Sequence, residues 1–179
     1  MKVVLFDLGQ TLENNGALRD DAIETLKYIQ NLKDKNDQPP ILGLASDNEF
    51  PDTNAHQARE RYYNLITNNY KIAKYFEPLD TNVTLSKDVG ATKDENLQLF
   101  MQTAIDKIDN TSFNEVIFIT EKKIHIDEAN ALGIKTIFLN LDNVSTNERQ
   151  YTIRNLRDAK NILEELINGG GPVNFSNKS

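Results

Sequence analysis

The chain has no cysteine among its 179 residues. That removes disulfides, thiolate zinc sites and a cysteine nucleophile together. It also has no apolar segment at its start long enough for a signal peptide or a membrane span: the opening hydrophobic stretch stops at Leu12 and gives way to Glu13-Asn14-Asn15-Gly16. A cytoplasmic protein without a membrane role is the expectation. Basic residues are in deficit, 20 Lys and Arg against 27 Asp and Glu, for a net charge of −7. Such a balance disfavours general binding to nucleic acid or to acidic membranes, though it leaves room for a local basic pocket. No internal repeat is visible, and no linker divides two cores. One domain over residues 1–168 is expected, followed by a polar, flexible tail over 169–179 that opens with Gly169-Gly170-Gly171-Pro172. An apolar content of 39% over this length is enough to bury a core without staples.

What is present is a regular alternation of apolar runs with helical periodicities. Residues 3–6, 41–45, 83–85, 116–119 and 136–139 read as short, fully buried strands. Between them, Asp21 with Glu24 reads as a capping-box helix start, and Ile23, Leu26, Ile29 and Leu32 give it one apolar face. A second helix is expected from Ala55 to about Tyr75. A third carries Leu97, Phe100, Met101, Ala104, Ile105 and Ile108, a stripe that reads as core. A fourth runs from Ile124 to Leu132 and closes at Gly133, and a last one carries Ile153, Leu156, Leu163, Leu166 and Ile167. Asn14-Asn15-Gly16 is a hairpin-type turn. Strands alternating with helices imply an α/β fold with a mainly parallel sheet covered on both faces.

Ligands in such sheets bind at the carboxyl ends of the strands, and four of these ends carry polar groups. Asp7 follows the first strand, with Gly9 to turn the backbone and Thr11 to offer a hydroxyl nearby. Ser46-Asp47-Asn48 follows the second, Lys93 comes after the third, and Thr120-Glu121 follows the fourth. Each has an ordinary structural explanation: Ser46 as a cap, Lys93 as an exposed lysine in a turn boxed by Thr92 and Glu95, Glu121 as a solvated acid beside Lys122 and Lys123. Histidine is scarce. His56 reads as a surface residue and His125 as a helix-end residue without a role.

Taken in order along the chain, these groups resemble the four motifs of the haloacid dehalogenase-like (HAD) phosphohydrolases. That family reads four hydrophobics followed by Asp-x-Asp-x-Thr. Asp7 and Thr11 match, and Gly9 stands in place of the second Asp, as it does in some HAD phosphatases. Ser46 matches the hydroxyl of the second motif, Lys93 the lysine of the third, and Thr120-Glu121 falls where the fourth has an acidic pair. The resemblance covers residues 3 to about 140. It implies a three-layer Rossmann-like core of five strands in the order 5-4-1-2-3. About thirty residues separate the first two strands, which leaves no room there for a large cap and implies a small-cap or capless type.

The resemblance also implies a Mg2+-dependent phosphomonoesterase. Asp7 is the nucleophile that carries an aspartyl phosphate; Thr11, Ser46 and Asp47 hold the phosphate; Lys93 neutralises its charge; Asp7, the carbonyl of Gly9 and Glu121 bind the metal. These residue types suit the chemistry: a carboxylate nucleophile splits a very slow hydrolysis into two in-line steps, and Mg2+ takes oxygen ligands while keeping several waters. The partner would be a phosphorylated small molecule or a phosphoprotein. The alternative is a catalytically inactive HAD-like domain that binds a phosphorylated ligand or a protein, favoured by the loss of acids at Gly9 and Thr120. A receiver-like domain fits less well, because its acceptor follows the third strand, where this chain has Leu85-Ser86. A dehalogenase would need a full cap.

Overall fold

A computed structural model of the chain describes residues 2–47, 50, 53–147 and 150–168. Asn48 and the tail over 169–179 lie outside the described residues, as do 49, 51 and 52. In chain order the elements are β1 (Val3–Phe6), the hairpin β2 (Glu13–Asn14) and β3 (Ala17–Leu18), α1 (Ala22–Gln30), β4 (Ile41–Ser46) and α2 (Ala55–Asn64). The single turns α3 (Leu79–Asn82) and α4 (Ser86–Val89) flank β5 (Val83–Leu85). Then come α5 (Leu97–Ile108), β6 (Val116–Thr120), α6 (Lys123–Ala131), β7 (Lys135–Leu139), β8 (Tyr151–Ile153) and α7 (Ala159–Ile167).

One six-stranded sheet runs in the order β5-β4-β1-β6-β7-β8, with every neighbouring pair parallel. Its first five strands reproduce the expected order, and the sheet has six strands where five were expected. The sixth, β8, is three residues long and only Ile153 in it is buried, so it carries no apolar run to announce it. Ile153 therefore belongs to this strand, where it pairs with Leu139, and not to the final helix.

The strand β1 is the centre. Val4 and Phe6 face a core shared with Leu26 and Ile29 of α1 and Leu163 of α7, while Val3 and Leu5 face a second core built with Phe100, Met101 and Ala104 of α5 and Ala129 of α6. Burial on both faces is why four consecutive apolar residues are needed here. Phe6 is level with Leu44 of β4 and Ile119 of β6. Adjacent strands lie about 4.8 Å apart, so the ends of β4, β1 and β6 deliver Ser46, Asp7 and Thr120-Glu121 to one edge side by side.

Other local readings change. The long second helix is broken: α2 stops at Asn64, a wider turn covers Leu65–Asn69, Lys71 takes a φ of 57°, and a short 3-10 turn covers Ala73–Phe76. Asn64, Asn68 and Asn69 disfavour a helix interior, because asparagine side chains compete for nearby polar groups; here Asn68 donates to Asn64. The capping box at Asp21 is absent. Its buried carboxylate instead accepts a hydrogen bond from the Arg157 amide at 3.0 Å, which ties α1 to the entry of α7. Ile23 is exposed, and the buried side of α1 is Ala22, Thr25, Leu26 and Ile29. The hairpin turn forms as expected, with Asn15 at φ 54° and Gly16 at φ 84°. Among the described residues no helix is long and apolar enough to cross a membrane.

Gly43 in β4 is held by packing. A Cβ there would stand 2.7 Å from Leu5 Cδ2, 2.9 Å from Ile108 Cδ1 and 3.2 Å from the Asn82 carbonyl oxygen. Gly43→Ala is expected to lower the free energy of unfolding by about 1–3 kcal/mol through overpacking, as measured by urea denaturation; a wild-type midpoint would contradict this packing.

Candidate active site

The sheet edge opens into a cavity of about 380 Å³ lined by Asp7, Gly9, Ser46, Asp47, Glu121 and His125, with an apolar side that includes Tyr62, Leu65 and Tyr70. Asp7, on its wall, is held in an ion pair with Lys93, which does not itself line the space. Lys93 Nζ lies 2.8 Å from Asp7 Oδ1 and 2.6 Å from the Ala45 carbonyl oxygen, with only 1% of the residue exposed. The rings of Phe100 and Phe118 stand 5.8 and 5.9 Å from the ammonium. A buried charge is tolerated only when it is paired and hydrogen-bonded, and 86 residues of chain are looped so that this lysine meets this aspartate. Lys93 is therefore not an exposed helix-start lysine. The box between Thr92 and Glu95 does form, with reciprocal bonds of 3.0 and 3.2 Å, and it shapes the turn that aims the lysine inward.

The remaining candidates fall around this pair. Asp47 accepts a hydrogen bond from the Lys93 amide at 2.9 Å, so its carboxylate fixes the lysine's backbone from the wall of the cavity. Ser46 is buried on the cavity wall, its hydroxyl only 3.5 Å from the Asp47 carbonyl oxygen. Thr11 is fully buried, and its hydroxyl oxygen accepts from the Glu121 amide at 3.3 Å; it joins the loop after β1 to the loop after β6 and is not among the cavity-lining residues. Gly9 has φ −63° and ψ 128°, while the left-handed position is taken by Gln10 at φ 61°. Gly9 is thus not needed for the turn, contrary to the expectation. A Cβ on it would meet only Glu13 Oε1, at 3.8 Å.

Glu121 is half-buried at the cavity, and burial together with the negative charge of Asp7 raises its carboxyl above the ordinary range. Thr120 is fully buried, and its hydroxyl oxygen accepts from the Lys122 amide at 3.3 Å.

Three cavity-lining groups had no role assigned to them from the sequence. His125 is 1% exposed, its Nε2 lies 2.6 Å from Asp94 Oδ1, and its buried Nδ1 has no hydrogen-bond partner. Burial lowers its pKa, the bond to Asp94 acts against this, and the positive charges of Lys93 and Lys122 add to the lowering. Glu13 holds the loop after β1: it accepts from the Gln10 amide at 3.1 Å and the Gly16 amide at 2.9 Å, with the Tyr70 hydroxyl 3.4 Å away. Tyr62 is buried and also lines the cavity. The available signal was Asp94 directly after Lys93. A turn that aims Lys93 into the site brings its neighbour to the rim.

Comparison with solved structures finds proteins of similar fold. YfnB of Bacillus subtilis, described as a HAD-hydrolase and solved with magnesium bound, superposes with a TM-score of 0.59 at 18% identity, over 82% of this chain and 56% of that one. A HAD phosphatase from Thermococcus onnurineus gives 0.57 at 21% identity, over 87% and 60%. A HAD-superfamily hydrolase from Ehrlichia chaffeensis gives 0.58 at 22% identity, over 89% and 64%. The chain has a HAD-like fold.

No protein-family model matches the chain, and no curated protein matches it in sequence. The chain spans 56% to 64% of the length of the three HAD structures. Within the HAD-like frame, Asp7, Ser46, Lys93 and Glu121 meet at one sheet edge, and the two departures, Gly9 and Thr120, lie at that same edge.

The buried pair predicts a coupled pair of mutations. Lys93→Met leaves Asp7 unpaired and should cost about 3 kcal/mol. Adding Asp7→Asn should cost much less than the sum of the single changes, as a double-mutant cycle by chemical denaturation would show. Additive losses would contradict direct pairing. His125 predicts a pH effect. Its folded pKa lies below the ordinary histidine value of 6.5, so below that pH the unfolded chain binds more protons and stability falls as pH falls. His125→Gln should flatten the stability profile below pH 6.5, read from thermal midpoints; an unchanged slope would rule out His125 as the titrating group.

Proposed function

We propose that the protein is a Mg2+-dependent phosphomonoester hydrolase with Asp7 as nucleophile. The observation that carries this reading is the Lys93–Asp7 pair at 2.8 Å, a buried cation fixed on the carboxylate at the end of the central strand. Lys93 holds Oδ1 of Asp7, which leaves Oδ2 to attack phosphorus. The new bond joins Asp7 to phosphorus while the ester oxygen departs. In the second step water attacks the same phosphorus, the Asp7–phosphorus bond breaks, and phosphate leaves with the carboxylate restored. Lys93 offers positive charge beside the transferring group in both steps, in a site where charge is poorly screened by solvent. Ser46 offers a hydroxyl to the phosphoryl oxygens, and Asp47 keeps Lys93 in place.

The donor set suits a hard dication. The negative charge of Asp7 adds to the cost of ionising Glu121 across the cavity, and a cation between them would relieve it. Among the described residues no group of three or more His, Cys, Asp or Glu could hold a metal; Mg2+ can be bound by one or two carboxylates, with water and phosphate completing its shell. Asp7, Glu121 and the Gly9 carbonyl would hold it. When bound, it neutralises charge where anionic phosphate meets anionic Asp7. The ligand is a phosphorylated small molecule or phosphoprotein, and the working domain is residues 1–168.

A second reading, a HAD-like domain that binds a phosphorylated ligand without hydrolysing it, is favoured by Gly9 and Thr120, where two acids are replaced. The same experiments separate the two. Wild-type protein should hydrolyse p-nitrophenyl phosphate with Mg2+, stop with EDTA, and lose turnover in Asp7→Asn; wild-type turnover in that variant would refute the nucleophile. Gly9→Asp has room and an ordinary backbone conformation. It restores an acid/base carboxyl and should raise turnover of alkyl phosphates by up to about 10²–10⁴. A folded Gly9→Asp protein that binds phosphate esters but turns over none favours the binding domain.

A further inference from the structure

The cavity has two chemically distinct sides. One is charged, with Asp7, Glu121 and His125. The other is built from the end of α2 and the turn after it, with Tyr62, Leu65 and Tyr70 lining the space. Tyr62 is 3% exposed, and its hydroxyl stands beside Ser46 and Asp7 without a well-formed hydrogen bond. Burial raises its pKa far above the usual phenol range, so it remains a donor. A buried donor without a partner is costly, and a ligand oxygen at the Asp7 end of the cavity would satisfy it. Leu65 and Tyr70 are half-buried and rest on the main core, and the Tyr70 hydroxyl is turned toward Glu13 at 3.4 Å. The volume of about 380 Å³ lies at the small end of small-molecule sites, which span about 300–1,000 Å³.

A second, independent feature concerns the leaving group. Gly9 offers no proton, and the nearest carboxylate, Glu13, already accepts two backbone hydrogen bonds. A phenolate, whose conjugate acid has a pKa of about 10, can depart without help. An alkoxide is as basic as hydroxide, whose conjugate acid sits at about 15.7, and departs slowly without an acid.

We infer that the substrate is a small aryl phosphate monoester, its ring against Leu65 and Tyr70 and its phosphoryl group at the Asp7 end of the cavity. The inference rests on the phosphohydrolase reading. In the first step the Asp7 oxygen–phosphorus bond forms, the phosphorus–aryl oxygen bond breaks, and the phenolate takes its proton from solvent.

The test uses the full chain with Mg2+ and two non-hydrolysable ligands, phenylphosphonate and methylphosphonate, titrated by calorimetry. Phenylphosphonate should bind about tenfold tighter or more, from burial of the ring. Tyr70→Ala and Leu65→Ala should each narrow that ratio severalfold. Leu65→Ala decides the matter if Tyr70→Ala fails a circular-dichroism check of folding. Equal affinities for the two ligands overturn the aryl preference and leave the phosphohydrolase reading intact. Absence of binding by both overturns the phosphate site itself, and this inference with it.

Discussion

A lysine ammonium buried to 1% exposure must find compensation inside the protein, and Lys93 finds it in Asp7 and the Ala45 carbonyl oxygen. Much of the site follows from that requirement. The lysine reaches Asp7 only because the turn before α5 is closed by Thr92 and Glu95 and its amide is pinned by Asp47. Asp7 meets it only because β1 lies between β4 and β6 with the three strand ends level. Phe100 and Phe118 exclude water from the lysine's other side. A pair of this kind adds little net stability, since desolvation offsets attraction. Its effect is to hold one carboxylate oxygen of Asp7 at the edge of the cavity.

Around the pair, charge is distributed unevenly. Glu121 faces Asp7 with like charge, an arrangement suited to a dication, while the positions of Gly9 and Thr120 carry no acid. Glu13 is the carboxylate nearest the missing side chain of residue 9, yet it serves as a brace for the loop, bonded to the Gln10 and Gly16 amides. The cavity therefore brings together a carboxylate paired with a buried lysine and a second carboxylate of like charge, and the position of Gly9 offers no acid.

Much of this was legible in the residues. The run Val3–Phe6 announced a strand buried on both faces, and the polar groups after successive strands marked the edge where they meet. The order of the five longer-signalled strands came from the family resemblance, and the sheet agrees with it. What was illegible has particular causes. Strand β8 has a single buried residue and takes its place by pairing with β7. The break after Asn64 depends on side-chain competition within a stretch whose apolar spacing still looks helical. The burial of Lys93 and His125 is a tertiary fact: periodicity places both at helix starts, where solvent exposure is the ordinary expectation, and only the approach of Asp7 and Asp94 reverses it. The freedom of Gly9 from any backbone requirement is invisible until Gln10 is seen to take the left-handed conformation.

The most direct measurement is to find the phosphoryl group on the protein. The chain is mixed with p-nitrophenyl phosphate and Mg2+, quenched in acid within the first turnover, and reduced with borohydride, which converts an aspartyl phosphate to homoserine; peptide mass analysis then locates the change. The account predicts homoserine at position 7 in wild type and none in Asp7→Asn. Turnover of the ester with an unmodified Asp7, or with the label on another residue, would contradict it.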